Sequence, residues 1–209
     1  MLNIQNFKKA YGSQLILEIP SLSFSEGIHW VKGKNGSGKS TLFNCLAGIS
    51  PFEGKVELNG YSLSKQPVSY KRLLNYSQSE PTFPEFLTGN DLISYFGQLK
   101  GATPAQVTEL SQQLSIESFS NQPVGNYSSG MLKKLSLVIA FLGNASWIIL
   151  DEPLITLDKE AQEALLNLIA DKSKKEVSFI LATHQDFENQ LIEADHTYEV
   201  KDQGIIRDL

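Results

Sequence analysis

Apolar Leu2, Ile4 and Phe7 stand among polar Asn3, Gln5 and Asn6 at the start of the chain, and this near-alternation predicts a β-strand over residues 2–7. Short β-prone runs predict further strands over residues 15–19, 28–32, 56–59 and 73–77. The period then changes. From Thr88 to Leu142 the apolar positions follow helical spacing, predicting helices over residues 90–99, 104–114 and 129–142, separated by turn-forming clusters at Lys100-Gly101 and residues 120–126. Alternation of elements resumes with a strand over 147–150, a helix over 159–171, a strand over 177–183, a helix over 187–193 and a hairpin across Asp202-Gln203-Gly204.

Strands alternating with helices require a largely parallel sheet covered on both faces, so the expected fold is α/β. The helical middle reads as an inserted lobe, residues 88–142, in a core lobe formed by residues 1–87 and 143–209. A chain of 209 residues holds one such domain and buries a substantial interior.

Composition narrows the partners. A net charge of −5 gives no global attraction to nucleic acid or anionic lipid, and no nucleic-acid partner is expected. The single cysteine, Cys45, falls in an apolar helical run and reads as a core thiol, which suits a reducing cytoplasm. The longest apolar stretch, residues 135–142, is interrupted by Ser136 and is too short to cross a bilayer. The start lacks the charged head and long apolar stretch of a signal peptide. A soluble protein is expected, reaching any membrane by docking to another component.

The candidate chemistry begins at Gly33-Lys34-Asn35-Gly36-Ser37-Gly38-Lys39-Ser40. Glycines at 33, 36 and 38 let successive backbone N–H groups turn towards one anion, Lys39 supplies a charge for the outer phosphates, and the Ser40 hydroxyl can ligate Mg²⁺. A strand before this loop and a helix over residues 41–47 behind it, ended by Gly48, give the setting in which such a loop binds a nucleoside triphosphate.

A second element is Trp147-Ile148-Ile149-Leu150-Asp151-Glu152-Pro153, an apolar run ending in two carboxylates. A buried strand delivers its C-terminal residues to the sheet edge where ligands bind. Asp151 is expected to support Mg²⁺ and Glu152, on the opposite face by strand alternation, to polarise an attacking water.

The order of these motifs resembles the nucleotide-binding domain of ATP-binding-cassette (ABC) proteins over essentially the whole chain. The resemblance implies a P-loop NTPase core with an antiparallel β portion near the N-terminus, ATP and Mg²⁺ as ligands, and ATP hydrolysis. It places nucleotide contacts at Gly33, Asn35, Gly36, Ser37, Gly38, Lys39, Ser40 and Thr41. Tyr11 would stack on adenine, and Gln78 would be the glutamine that joins core to helical lobe and senses metal and γ-phosphate. Tyr127-Ser128-Ser129-Gly130-Met131 is similar to the family's Leu-Ser-Gly-Gly-Gln signature at Ser128 and Gly130 and departs from it at the other three positions. Asp158 resembles the D-loop aspartate, and His184 the histidine that contacts the γ-phosphate.

By the same resemblance the signature residues cover ATP held by a second ABC subunit, so a head-to-tail dimer is implied, with a separate transmembrane permease as the partner of a cassette at the inner face of a membrane. A non-transport ABC ATPase and an ATP-binding regulatory module with little turnover are the alternatives.

Overall fold

The computed structural model describes residues 1–183 and 192–208. His184 and residues 187–191 of the expected helix lie outside the described residues.

The main sheet runs in the order β10-β9-β3-β8-β7-β6. Its members are β3 (Ile28–Lys32), β6 (Leu74–Ser77), β7 (Trp147–Asp151), β8 (Ser178–Ala182), β9 (His196–Lys201) and β10 (Gly204–Arg207). All neighbours are parallel except β9 and β10, which form the expected hairpin. Asp202 (φ 48°) and Gln203 (φ 60°) both take the left-handed conformation that a tight two-residue turn demands. A second, antiparallel sheet orders β2-β1-β4-β5, from β1 (Leu2–Tyr11), β2 (Gln14–Phe24), β4 (Glu53–Leu58) and β5 (Tyr61–Ser62).

Six α-helices and one 3₁₀ turn (Val124–Asn126) complete the described chain: α1 (Lys39–Leu46), α2 (Pro67–Leu73), α3 (Gly89–Lys100), α4 (Pro104–Gln113), α5 (Ser129–Phe141) and α6 (Lys159–Ser173). The main sheet separates two apolar layers. In β7, Ile148 and Leu150 join the layer with α3 to α6, whereas Trp147 and Ile149 join the layer with α1 and the antiparallel sheet. β8 divides in the same way, Phe179 and Leu181 against Ile180 and Ala182. Every residue of both strands is buried, which is why they read as continuous apolar runs rather than as alternation.

Several elements differ from expectation: β1 runs on to Tyr11, β4 begins at Glu53, β5 is unpredicted, and β2 and α2 depart furthest. β2 continues past residue 19 through Pro20 to Phe24. It is an edge strand, and the Pro20 position lies across from Asn6 (φ 50°), where the ladder with β1 skips a pair, so the absent N–H of proline is not needed. Helix α2 carries no amphipathic signal because Tyr70 is its one buried residue; the Tyr70 hydroxyl donates to the Leu46 carbonyl at 2.9 Å and fixes α2 to the end of α1.

At the N-terminal ends of β3 and β9, opposite the phosphate loop, His29 is fully buried with its ring stacked on Trp147 at 5.8 Å. Nε2–H donates to the Ser25 carbonyl at 2.7 Å, leaving Nδ1 as a bare lone pair. Burial, the largest influence, pushes its pKa below 6.5. The unfolded chain therefore binds the extra proton first as pH falls, so the contribution of neutral His29 is complete above pH 6.5 and is lost as pH drops through the folded pKa. Urea midpoints measured from pH 7.5 to 5 are expected to decline, each pH unit of depression corresponding to about 1.4 kcal/mol, and His29→Gln is expected to flatten that slope.

Candidate functional site

The phosphate loop leaves β3 and enters α1 at Gly38, whose φ of 107° is strained for any side chain and whose Cα faces Leu17 and Ile16 of β2. The β1–β2 hairpin is thereby packed on the start of α1. Tyr11, the last residue of β1, is 55% exposed, with the Lys9 ammonium 4.5 Å from its ring centroid. Lys9 itself is buried and donates to the Pro51 carbonyl at 2.7 Å.

The first intrahelical bond of α1 runs from Leu42 N–H to the Gly38 carbonyl. The amides of Lys39, Ser40 and Thr41 precede it and face the helix entrance, where the macrodipole favours an anion. No acidic residue lies in the first turn. The Lys39 ammonium donates to the carbonyls of Gly33 (2.7 Å) and Lys34 (3.4 Å) and is 6% exposed. Burial lowers its pKa, while Glu152 and then Asp151 oppose that shift.

Period-two alternation turns Asp151 to the α1 side of the sheet, like Trp147 and Ile149. Its carboxylate is fully buried; the Ser40 and Tyr76 hydroxyls lie beside it, but neither oxygen completes a well-formed hydrogen bond within the described residues. Burial raises its pKa, and the hydroxyls of Ser40 and Tyr76 and the ammonium groups of Lys133 and Lys39 pull it back. Two orphaned carboxylate oxygens beside a serine hydroxyl form an all-oxygen donor set that fits Mg²⁺, whose remaining ligands would come from phosphate and water.

Glu152 does not follow from strand alternation as expected. β7 ends at Asp151, and Glu152 takes φ 48° while its N–H donates to the Ala182 carbonyl at 3.1 Å. This left-handed residue turns back, and both carboxylates act on the same two ammonium groups, Lys39 and Lys133. Glu152 is 7% exposed.

Gln78 follows β6 and donates from Nε2 to Asn44 Oδ1 of α1 at 3.0 Å, tying its loop to the phosphate-binding helix. Ser128, Gly130 and Asp158 form a separate group. Ser128 caps α5 by accepting from the Met131 N–H at 3.3 Å, and Met131 Sδ accepts from the Ser128 N–H at 3.5 Å, so methionine takes part in the cap where the family pattern has glutamine. A Cβ on Gly130 would stand 2.8 Å from the Thr156 carbonyl, so close approach of the loop after Glu152 requires glycine there. Tyr127 packs edge-on to Phe119 at 5.0 Å, and its hydroxyl donates to the Phe119 carbonyl at 2.9 Å, anchoring that ring where the pattern has leucine. Asp158 caps α6 through the Ala161 N–H at 2.8 Å and pairs with Lys134 at 2.7 Å. Among the described residues no hydrogen bond or ion pair links Ser128, Gly130 or Asp158 to the phosphate loop of the same chain.

Lys133, absent from the expected site, is 1% exposed. Its ammonium donates to the main-chain carbonyls of Asp151 (2.7 Å), Gln78 (2.7 Å) and Ser79 (3.4 Å). Burial pushes its pKa down to about 8 against the pull of Asp151 and Glu152. Helical spacing places it on the same face as buried Leu137 and Ala140, the signal that marks it as inward.

A glycine loop running from the parallel strand β3 into a helix, with a buried carboxylate at the end of β7, the next strand but one, defines a P-loop nucleoside-triphosphate site. The ABC transporter family pattern matches residues 17–155, two thirds of the chain. TupC, the tungstate uptake system ATP-binding protein of Peptoclostridium acidaminophilum, is 32% identical over 193 residues, 88% of this chain and 86% of TupC. ATP-binding cassette sub-family A member 2 of Homo sapiens is 32% identical over 196 residues, and the chain spans 8% of that far longer protein. A solved ATP-binding subunit of an ABC transporter superposes with a TM-score of 0.89 at 25% identity, covering 100% of this chain and 89% of its own. A dimeric ATP-binding cassette in a post-hydrolysis state bound to ADP and Pi shares the fold at 19% identity and a TM-score of 0.85, covering 100% and 98%. The chain belongs to the ABC transporter family, and ATP binding comes with that membership.

Proposed function

We propose that this chain is the ATP-hydrolysing subunit of a transporter, closing on ATP as a head-to-tail pair to drive a separate membrane-embedded permease. Residues 88–142 act as the helical lobe and residues 1–87 and 143–209 as the lobe that binds nucleotide, with the permease docking where the two meet. Lys39, with the loop amides from Gly33 to Thr41, holds the phosphates, and Tyr11 offers its exposed ring to the adenine. Ser40 and Asp151, with Gln78 beside them, would hold Mg²⁺, which supplies charge neutralisation of the β- and γ-phosphate oxygens. Glu152 accepts a proton from water as the water oxygen attacks the γ-phosphorus and the bond to ADP breaks, giving ADP and Pi. His184 is assigned to the γ-phosphate by family resemblance. Ser128 and Gly130 serve the ATP of a second copy, the Ser128 hydroxyl hydrogen being free for this because the cap uses only its oxygen. Asp158 lies at the same contact.

The observation that carries the transport reading is an apolar groove of about 940 Å³ between α2, the loop after Gln78 and α3. Val68 (68% exposed), Tyr95 (60%) and Leu99 (58%) line it, and Gln78 stands at its inner side, so an occupant would touch the segment tied to α1. An apolar face this large calls for a partner. A helix of the permease reaching out of the membrane fits it, and no helix among the described residues is itself long and apolar enough to cross a bilayer. On this reading the chain works peripherally, at the cytoplasmic face of a membrane, through that partner.

The test is co-purification from detergent-solubilised membranes. Tagged wild-type chain is expected to retain a multi-span membrane protein, and the double variant Tyr95→Asp, Leu99→Asp to lose it while binding ATP normally. Retention of the same partner by the double variant would reject the groove, and absence of any membrane protein with wild type would favour a non-transport ATPase.

A further inference from the structure

We propose that Lys133 is a positioning residue for hydrolysis, holding the Asp151–Glu152 segment and the Gln78 loop to α5, the helix that begins with the signature residues. The inference rests on the reading of Glu152 as the base.

An ammonium group has three donors, and Lys133 directs them at three carbonyls from two separate segments. A charge buried this deeply is tolerated only when so satisfied. It heads a polar stripe on α5. Ser136 Oγ meets Ser77 Oγ at 2.9 Å, and Asn75 Nδ2 donates to the carbonyls of Ala140 (2.8 Å) and Leu142 (2.9 Å), so one face of the helix follows β6 along its length. Lys133 extends that seam across to β7.

The neighbouring residues of α5 hold the far end of the same segment. Gly130 abuts the Thr156 carbonyl and Lys134 pairs with Asp158, so the stretch from Asp151 to Asp158 is fastened to the first turns of α5 on both sides of Glu152. Glu152 itself stands at φ 48°, a conformation that persists only where its surroundings enforce it. Lys133 is the fastening immediately before it. The same ammonium fixes the carbonyl of Gln78, whose side chain reaches α1. A shift of α5 is therefore transmitted to the base, the metal-side strand and the Gln78 loop together.

Lys133 contacts neither the phosphate loop nor Tyr11, so its loss is expected in turnover rather than in ATP affinity. For purified Lys133→Met, misplacement of the base is expected to lower kcat on the order of 10²-fold. KM and the affinity for a fluorescent ATP analogue are expected to stay within about threefold of wild type. Lys133→Arg, with donors for the same carbonyls, is expected to regain most of kcat. The proposal is overturned if Lys133→Met keeps wild-type kcat, if Lys133→Arg is no better than Lys133→Met, or if KM rises in step with the loss. Should Lys133→Met not fold, Lys133→Gln takes its place, and the same split between kcat and KM decides. Glu152→Gln assayed in parallel separates the two readings: if it turns over normally the base assignment fails, whereas an inactive Glu152→Gln beside a fully active Lys133→Met defeats the positioning role alone.

Discussion

Glu152→Gln is expected to bind ATP at close to wild-type affinity, to lose steady-state hydrolysis by roughly 10²- to 10⁴-fold, and to accumulate as an ATP-dependent dimer. The substitution is nearly isosteric and leaves the N–H to Ala182 carbonyl bond in place, so the left-handed turn after β7 is retained. What is removed is the proton acceptor. A chain that closes on ATP and cannot hydrolyse it stays closed, because the nucleotide binds the closed pair more tightly than the separated one. Light scattering with and without ATP, beside a phosphate-release assay, measures both consequences. Wild-type turnover by this variant would remove Glu152 from the mechanism.

Lys39→Ala is expected to act one step earlier. Its ammonium is the one cation of the phosphate loop buried beside the candidate carboxylates, and charge-assisted bonds to phosphate oxygens of this kind are worth about 2–3 kcal/mol together, so affinity should fall on the order of 10²-fold. Titration with a fluorescent ATP analogue measures it. The ATP-dependent dimer should disappear with affinity. The two substitutions thus divide the cycle, one abolishing closure and the other abolishing release from it.

Much of this was legible in the residues. β7 and β8 are buried on both faces and show as unbroken apolar runs, and the Gly33 to Ser40 loop carries its chemistry in residue types alone. The boundaries of α3, α5 and α6 follow caps and stops that are readable in one dimension, such as Thr88 with Asp91 and the left-handed Gly101. Other features depend on the third dimension. α2 has one buried side chain and hence no period to detect. The direction of Glu152 is set by a backbone turn against β8, which alternation along β7 does not foresee. Helical spacing aims Lys133 inward and Lys134 outward, yet the three carbonyls that receive the Lys133 ammonium converge from two distant segments and are visible only in the fold. The partners of Tyr127 and Met131 show how two departures from the signature pattern are accommodated locally, which a comparison of letters does not reveal.

The ends of α1 and α5 share a trait with a thermodynamic consequence. Helices α3 and α6 place Asp91 and Glu160 in their first turns, whereas α1 and α5, like α2 and α4, have no acidic residue there and forgo the roughly 0.3–1 kcal/mol that such a carboxylate contributes. In the proposed closed pair, the γ-phosphate takes that place for α1 of one chain and α5 of the other. A single nucleotide then completes the electrostatics of two helices on different polypeptides, so that ATP behaves as a shared piece of the fold, and its hydrolysis withdraws stability from both chains at once.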